Sequence, residues 1–191
     1  MIYILDDVID KDFLKIIKEY LDNPFQKKIS GGKDFYVLES NEDFDYFILD
    51  ILQQKEEREL ENILSFFRVS TDKLDITWGI HSDLNIKGQK PDRAIVLYLS
   101  PRELEELNGT AFWEHNIYGK EMPKNMSDDE YDKILKLDSE DLNKWRLSTV
   151  VGYEENRLVS YPSNYFHSKY PNKSWEEGRK VFVMFYKTQK L

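Results

Sequence analysis

Residues 77–88 read TWGIHSDLNIKG, and the fold turns on how this stretch is read. An apolar, aromatic lead-in runs into His81 and Asp83, then into a turn-like Asn-x-x-Gly from Asn85 to Gly88. That is the signature of a strand closed by a turn. On a strand, residues two apart project to the same face, so His81 and Asp83 stand together and Ser82 points away. An imidazole and a carboxylate so placed can grip one cation, and a further donor must come from elsewhere.

Downstream, RAIVLYLS (93–100), GTAFWEH (109–115), NRLVSYPS (156–163) and RKVFVMFYK (179–187) are short runs rich in β-branched and aromatic residues. Such runs read as strands. One highly charged stretch, 126–148, interrupts them and is helical in pattern. Upstream, MIYILDD reads as a short strand. Asp10 takes an N-cap position before a helix carrying Phe13, Ile17 and Leu21, which Asn23-Pro24 ends. ISGGKDFYVLES (29–40) reads as turn then strand, and residues 41–68 read as helical, with Phe44, Ile48, Leu52, Ile63 and Phe67 on an apolar side. Helices first and strands after imply an α+β domain whose strands form a sandwich or barrel with helices packed outside. The division expected is a single domain over 1–191: helical support over 1–70, and a strand-rich core over 71–191 with a helical insertion at about 126–148.

The chain has 191 residues, 40% of them hydrophobic and 14% aromatic, which is globular and long enough to bury a core. It has no cysteine, which excludes disulfides, zinc thiolates, iron–sulfur clusters and thiol nucleophiles. The opening apolar run meets acids too soon for a secretory leader. No run approaches the roughly 18 apolar residues of a membrane span. The expectation is a cytoplasmic protein with no membrane partner. A net charge of −9 argues against a nucleic-acid partner. Residues 157–191 run the other way, with seven Lys/Arg against Glu176 and Glu177, an end that suits a small acidic ligand.

Two histidines remain to complete the cation site. His167 follows a strand and a Pro-containing turn, 84 residues after Asp83, far enough for another strand to bring it opposite the first pair. Two histidines and one carboxylate occupy one face of an octahedral metal and leave the other open, as suits non-haem Fe(II) working with O2. A 2-oxo acid would chelate two open positions, and its distal carboxylate would need a cation. Arg179, 12 residues after His167, enters an apolar strand, where an arginine is costly unless paired. Its planar fork matches a carboxylate. The ordinary alternative is an ion pair with Glu176 or Glu177. His115, beside Glu114, offers the rival set: His81, Asp83 and His115 as the zinc site of a hydrolase.

The words H-x-D, LYLS, GTAFWEH, NRLVSYPSNYFHS and RKVFVMFY, over roughly residues 76–188, resemble an Fe(II)/2-oxoglutarate-dependent oxygenase of the prolyl-hydroxylase-like type, and IYILDDVIDKDFLKII resembles its lead-in. The resemblance implies a double-stranded β-helix (jelly-roll) core, with His81, Asp83 and His167 on the metal positions. It implies Arg179 on the 2-oxoglutarate carboxylate and Tyr98 as a hydrogen-bond donor to that cosubstrate. Ser100 departs from the family, whose word there is nearer YLN, and the 126–148 insertion departs further. The implied activity is hydroxylation of a peptide, protein side chain or small molecule, with Fe(II), 2-oxoglutarate and O2 consumed and succinate released. A non-catalytic jelly-roll binding module and the zinc hydrolase are the competing classes. Thr110 and Trp113 are candidates to face the pocket, Trp78 and Trp175 to wall it, and Asn156 and Arg157 to brace it.

Overall fold

The computed structural model describes residues 1–30, 33–71, 79–101, 108–170 and 178–189. Trp78, Trp175, Glu176 and Glu177, and most of the lead-in to His81, lie outside them.

In chain order the elements are β1 (Tyr3–Leu5), α1 (Lys11–Tyr20), β2 (Gln26–Ser30), β3 (Lys33–Glu39), α2 (Glu42–Glu56), β4 (Leu60–Ser70), β5 (Arg93–Tyr98) and β6 (Gly109–His115). Then follow α3 (Asp128–Leu137), β7 (Trp145–Gly152), β8 (Leu158–Pro162), β9 (His167–Tyr170) and β10 (Arg179–Thr188). Among the described residues ten strands form two antiparallel sheets, one of seven in the order β1-β8-β5-β10-β4-β3-β2 and one of three, β7-β6-β9.

Alternation along β10 sets the layers. Phe182, Met184 and Tyr186 join one core with Ile17 of α1 and Phe44, Ile48 and Leu52 of α2. Val181, Val183 and Phe185 join a second core with Phe112 of β6, Tyr161 of β8 and Tyr98. The large sheet thus buries one face against the helices and the other against the small sheet, as a period of two requires. A third cluster, with Ile80, Trp113, Met122, Ile134, Trp145 and Phe166, lies between the small sheet and the insertion. The result is a jelly-roll-like β-sandwich with two helices on one outer face and α3 on the other.

Asp10 caps α1, accepting from the backbone N–H groups of Asp12 and Phe13, and Asn41 caps α2 through Phe44. The helix expected over 41–68 ends at Glu56, where Glu57 turns left-handed at φ 53°. Residues 60–70 are a strand that pairs with β10 along its length. Leu60, Ile63, Leu64 and Phe67 fit helical spacing, but Phe67 faces the helices while Leu64 and Phe66 face the second core. Both faces of β4 are apolar because the strand lies inside the sandwich, which blurs the period of two. The segment expected to give helical support over 1–70 is therefore mixed and supplies β1, β2, β3 and β4 to the large sheet. The insertion is likewise only partly helical: from Trp145 it becomes β7 and pairs with β6. No helix among the described residues is long and apolar enough to cross a membrane.

Candidate metal centre

His81 and His167 face each other as a backbone pair. The N–H of each donates to the carbonyl of the other, at 3.0 and 2.8 Å. Such mutual bonding places their side chains on one face, and the ring centroids are 4.4 Å apart. Asp83, fixed by its N–H to Ser163 O at 2.7 Å, completes the group. One donor atom from each of His81, Asp83 and His167 lies within 4.8 Å of the others. Asp83 Oδ2 is 3.4 Å from His167 Nε2, and Asp83 Oδ1 is 3.9 Å from His81 Nε2.

Backbone carbonyls fix which nitrogen points inward. His81 Nδ1 lies 2.9 Å from Gly79 O, and His167 Nδ1 lies 2.9 Å from Tyr165 O. A carbonyl only accepts, so each Nδ1 carries the proton and each Nε2 presents a bare lone pair. Burial lowers the pKa of His81 to about 4, with His167 adding to the effect, and burial lowers His167 to about 4 as well. Burial raises Asp83 to about 6. At neutral pH two unprotonated nitrogens and a carboxylate converge. Three lone-pair donors in one spot repel unless a cation lies between them, and the carbonyl behind each ring is the usual outer partner of a metal-bound histidine.

The insertion holds this segment from behind. Ser139 O accepts from Ile80 N–H at 2.9 Å, Ser139 Oγ donates to Ile80 O at 2.9 Å, and the Tyr131 hydroxyl donates to Ser82 O. Nothing in the sequence marked Tyr131 or Ser139, since their partners are backbone atoms.

The three donors line a cavity of about 590 Å³ between the sheets. Its floor is made of alternate residues of neighbouring strands, among them Val37, Phe66, Val96 and Val183. Arg179 also lines it. It is 7% exposed, its Nε has no hydrogen-bond partner, and no carboxylate pairs with it among the described residues. Its guanidinium lies over the rings of Tyr98 and Tyr153, at 5.3 and 5.9 Å. Gly178 leads into it at φ 95°, a conformation glycine adopts freely. Ser100 Oγ ties this corner down, donating to Gly178 O at 3.1 Å and accepting from Lys180 N–H at 2.8 Å. The serine that departs from YLN thus anchors the start of β10.

Tyr98 is fully buried and does not line the cavity; its hydroxyl meets that of Thr110, which does, at 2.7 Å. Burial raises its pKa. Tyr153, which no sequence pattern marked, stacks on Tyr98 at 4.3 Å and accepts from Ser100 N–H at 2.7 Å. Trp113 turns away into the cluster beneath the insertion. His115 is not with the other histidines. It is buried against Trp145 and Tyr118, with Nε2 3.2 Å from Asp138 Oδ2. The set His81, Asp83 and His115 is therefore not assembled, because His115 faces the insertion rather than the sandwich interior. Asn156 pins the N-terminal segment instead of the site, bonding both N–H and C=O of Ile9 at 3.0 and 2.7 Å, while Arg157 pairs with Asp6.

Among solved structures the chain is similar to the non-heme alpha-ketoglutarate-dependent carbocyclase SnoK from nogalamycin biosynthesis, at 11% identity and TM-score 0.65 over 97% of this chain and 78% of that one. It is similar to HygX from Streptomyces hygroscopicus, solved with nickel, 2-oxoglutarate and hygromycin B, at 11% and 0.60 over 97% and 82%. A third is EvdO2 from Micromonospora carbonacea var. aurantiaca, complexed with 2-oxoglutarate, at 13% and 0.58 over 100% and 88%. At such identities the likeness is one of fold. No curated protein matches the sequence. A family model matches residues 33–174, from β3 through His81 and Asp83 to β9. The chain accordingly belongs to that family, a family of unknown function designated DUF6445.

Proposed function

We propose that the protein is a non-haem Fe(II)- and 2-oxoglutarate-dependent dioxygenase of the prolyl-hydroxylase-like type, built on a double-stranded β-helix. It hydroxylates its substrate and releases succinate. The observation that carries this is the pairing of two features in one cavity. At one place are two bare imidazole nitrogens and a carboxylate; at another is a buried arginine whose Nε lacks a partner. The first fits a divalent metal with an open face, and the second fits the far carboxylate of a dicarboxylic ligand. The fold likeness to enzymes solved with iron or nickel and with 2-oxoglutarate supports the same reading.

His81, Asp83 and His167 would hold the metal, and Arg179 the distal carboxylate of the cosubstrate. When bound, Fe(II) with 2-oxoglutarate and O2 supplies an oxidant for unactivated C–H bonds. The chain's own residues do the rest. Gly79 O and Tyr165 O keep the Nδ1 protons outward, so both rings turn Nε2 to the metal. The Tyr98–Tyr153 stack holds the guanidinium from beneath. Thr110, which lines the same cavity as Arg179, would donate to the cosubstrate, with the Tyr98 hydroxyl behind it at 2.7 Å. The apolar floor excludes water from the reacting carbon. The absence of cysteine fits a cytoplasmic setting.

The test is uncoupled turnover: purified protein with Fe(II), 2-oxoglutarate and O2, with succinate measured. Succinate that depends on added iron and is lost in His81→Ala and His167→Ala supports the assignment. Turnover that persists in either variant refutes it.

A further inference from the structure

Resting on that reading, we infer that Tyr161 is a substrate-binding residue: its hydroxyl donates to an acceptor oxygen on an otherwise apolar substrate held beside the metal donors.

Among the described residues four tyrosines are at most 2% exposed: Tyr98, Tyr153, Tyr161 and Tyr186. A buried phenol ordinarily finds a hydrogen-bond partner, because a donor left unpaired away from water is costly. Three of the four do. The Tyr98 hydroxyl meets Thr110 at 2.7 Å, that of Tyr153 accepts from Ser100 N–H at 2.7 Å, and that of Tyr186 meets Ser160 at 3.0 Å. Tyr161 makes no hydrogen bond among the described residues; it is held by its ring, 5.2 Å from that of Phe112 and 4.7 Å from that of His167. Its hydroxyl is not one of the unpaired polar atoms sealed from solvent, and the residue lines the cavity. The group therefore opens into the cavity next to a metal donor, firmly held and with its proton uncommitted.

Strand register separates this hydroxyl from the cosubstrate end. Tyr161 of β8 lies level with Ala94 of β5 and Phe185 of β10. Arg179 stands six residues before Phe185 (185 − 179) on β10, roughly 20 Å along a strand. A cosubstrate reaching from the metal toward Arg179 runs away from that row, so Tyr161 faces the space left to the primary substrate. The floor there is apolar. Phe185 and, one row on, Val183 level with Val96 all line the cavity, and the Phe66 ring lies 6.4 Å from that of Phe185. One hydrogen-bonding group among such walls fixes the orientation of an apolar body that carries an acceptor. A site built to bond one oxygen also rejects the analogue that lacks it.

The experiment compares wild type with Tyr161→Phe, which keeps the ring and deletes the hydroxyl, in two measurements. The first is melting of the unliganded chain. Tyr161→Phe should melt at or above the wild-type temperature, whereas Tyr186→Phe, which loses its bond to Ser160, should melt roughly 2–4 °C lower. A loss in Tyr161→Phe as large as that in Tyr186→Phe would place the hydroxyl in a bond within the protein and overturn the inference. The second uses the full chain loaded with Zn(II) and saturating 2-oxoglutarate, so that nothing turns over. The probes are acetophenone beside α-methylstyrene and cyclohexanone beside methylenecyclohexane, each pair matched in shape and differing in the acceptor oxygen, titrated by ligand-observed NMR. For at least one pair the ratio of ketone to hydrocarbon affinity should be roughly three- to ten-fold higher in wild type than in Tyr161→Phe, the range for one neutral hydrogen bond. An equal ratio in the two proteins, or no binding by either ketone, overturns the inference and leaves the oxygenase reading in place. If Zn(II) and 2-oxoglutarate fail to bind while the ratio still depends on Tyr161, the oxygenase reading fails and the tyrosine contact stands.

Discussion

Replacing Arg179 with methionine should weaken cosubstrate binding without weakening the empty protein, and the two effects can be worked separately. Methionine keeps an unbranched apolar stem against Tyr98 and Tyr153. It removes a charge that is 7% exposed and whose Nε has no partner. Leaving a buried donor unsatisfied costs roughly 1–3 kcal/mol, and the two aromatic faces return about 0.5–2 kcal/mol. The unliganded variant should therefore melt within a few degrees of wild type, or above it. Binding should respond differently. A hydrogen bond to a carboxylate contributes about 1.5–3 kcal/mol, so affinity should fall roughly ten- to hundred-fold. At a 2-oxoglutarate concentration near 100 times the wild-type Kd, the ligand stabilises wild type by about 2.7 kcal/mol. In the variant the same concentration would give only about 0.4–1.4 kcal/mol by the same relation. At about 2–4 °C per kcal/mol for a chain of this size, the ligand-induced shift should drop from roughly 5–11 °C to roughly 1–6 °C. The assay is differential scanning fluorimetry with Zn(II), with and without 2-oxoglutarate. An unchanged ligand shift, or an unliganded variant many degrees less stable, would refute the reasoning.

Three further perturbations separate the site from its supports. Tyr131→Phe removes the hydroxyl that reaches Ser82 O; it should weaken stability by about 1 kcal/mol and loosen Zn(II) several-fold by calorimetry, and unchanged affinity would remove the insertion from any role in the metal site. Asn156→Ala deletes both bonds to Ile9 and puts alanine at φ 65°; a loss of roughly 2–4 kcal/mol in urea unfolding is expected, with Asn156→Asp recovering part of it. His115→Ala should lower the melting temperature, since a buried ring packed on Trp145 is lost, yet leave Zn(II) binding to the folded protein unchanged; weakened metal affinity there would revive His115 as a ligand.

Much of the site was legible because it rests on backbone period and on rare residues. The i, i+2 spacing singled out His81 and Asp83, but among the described residues their segment forms no strand, only an isolated bridge from His81 to His167; with three histidines in the chain, the third donor had to be His115 or His167. His167 could be placed because a strand had to return beside them, and the rival His115 was settled only by its packing against Trp145 and Asp138 on the insertion side. Arg179 was legible as a charge in an otherwise apolar strand. What stayed hidden depends on layers. Residues 60–70 pack on both faces, so their apolar pattern imitates a helix. β7 hid inside a stretch whose charge suggested a helix because its middle, from Arg146 to Thr149, is exposed and polar-rich at the edge of the small sheet. The hydrogen bonds of Tyr131, Ser139 and Ser100 go to backbone groups 49, 59 and 78 residues away, and no local pattern encodes such partners.

The central claim is that three protein donors meet at one metal and leave half its coordination sphere to a keto acid. Anaerobic titration of the full chain with Fe(II) in the presence of 2-oxoglutarate tests it most directly, by visible absorption. A weak metal-to-ligand charge-transfer band that saturates at one iron per chain, and is missing in His167→Ala, is the predicted result. No band at any ratio, or the same band in His167→Ala, would contradict it.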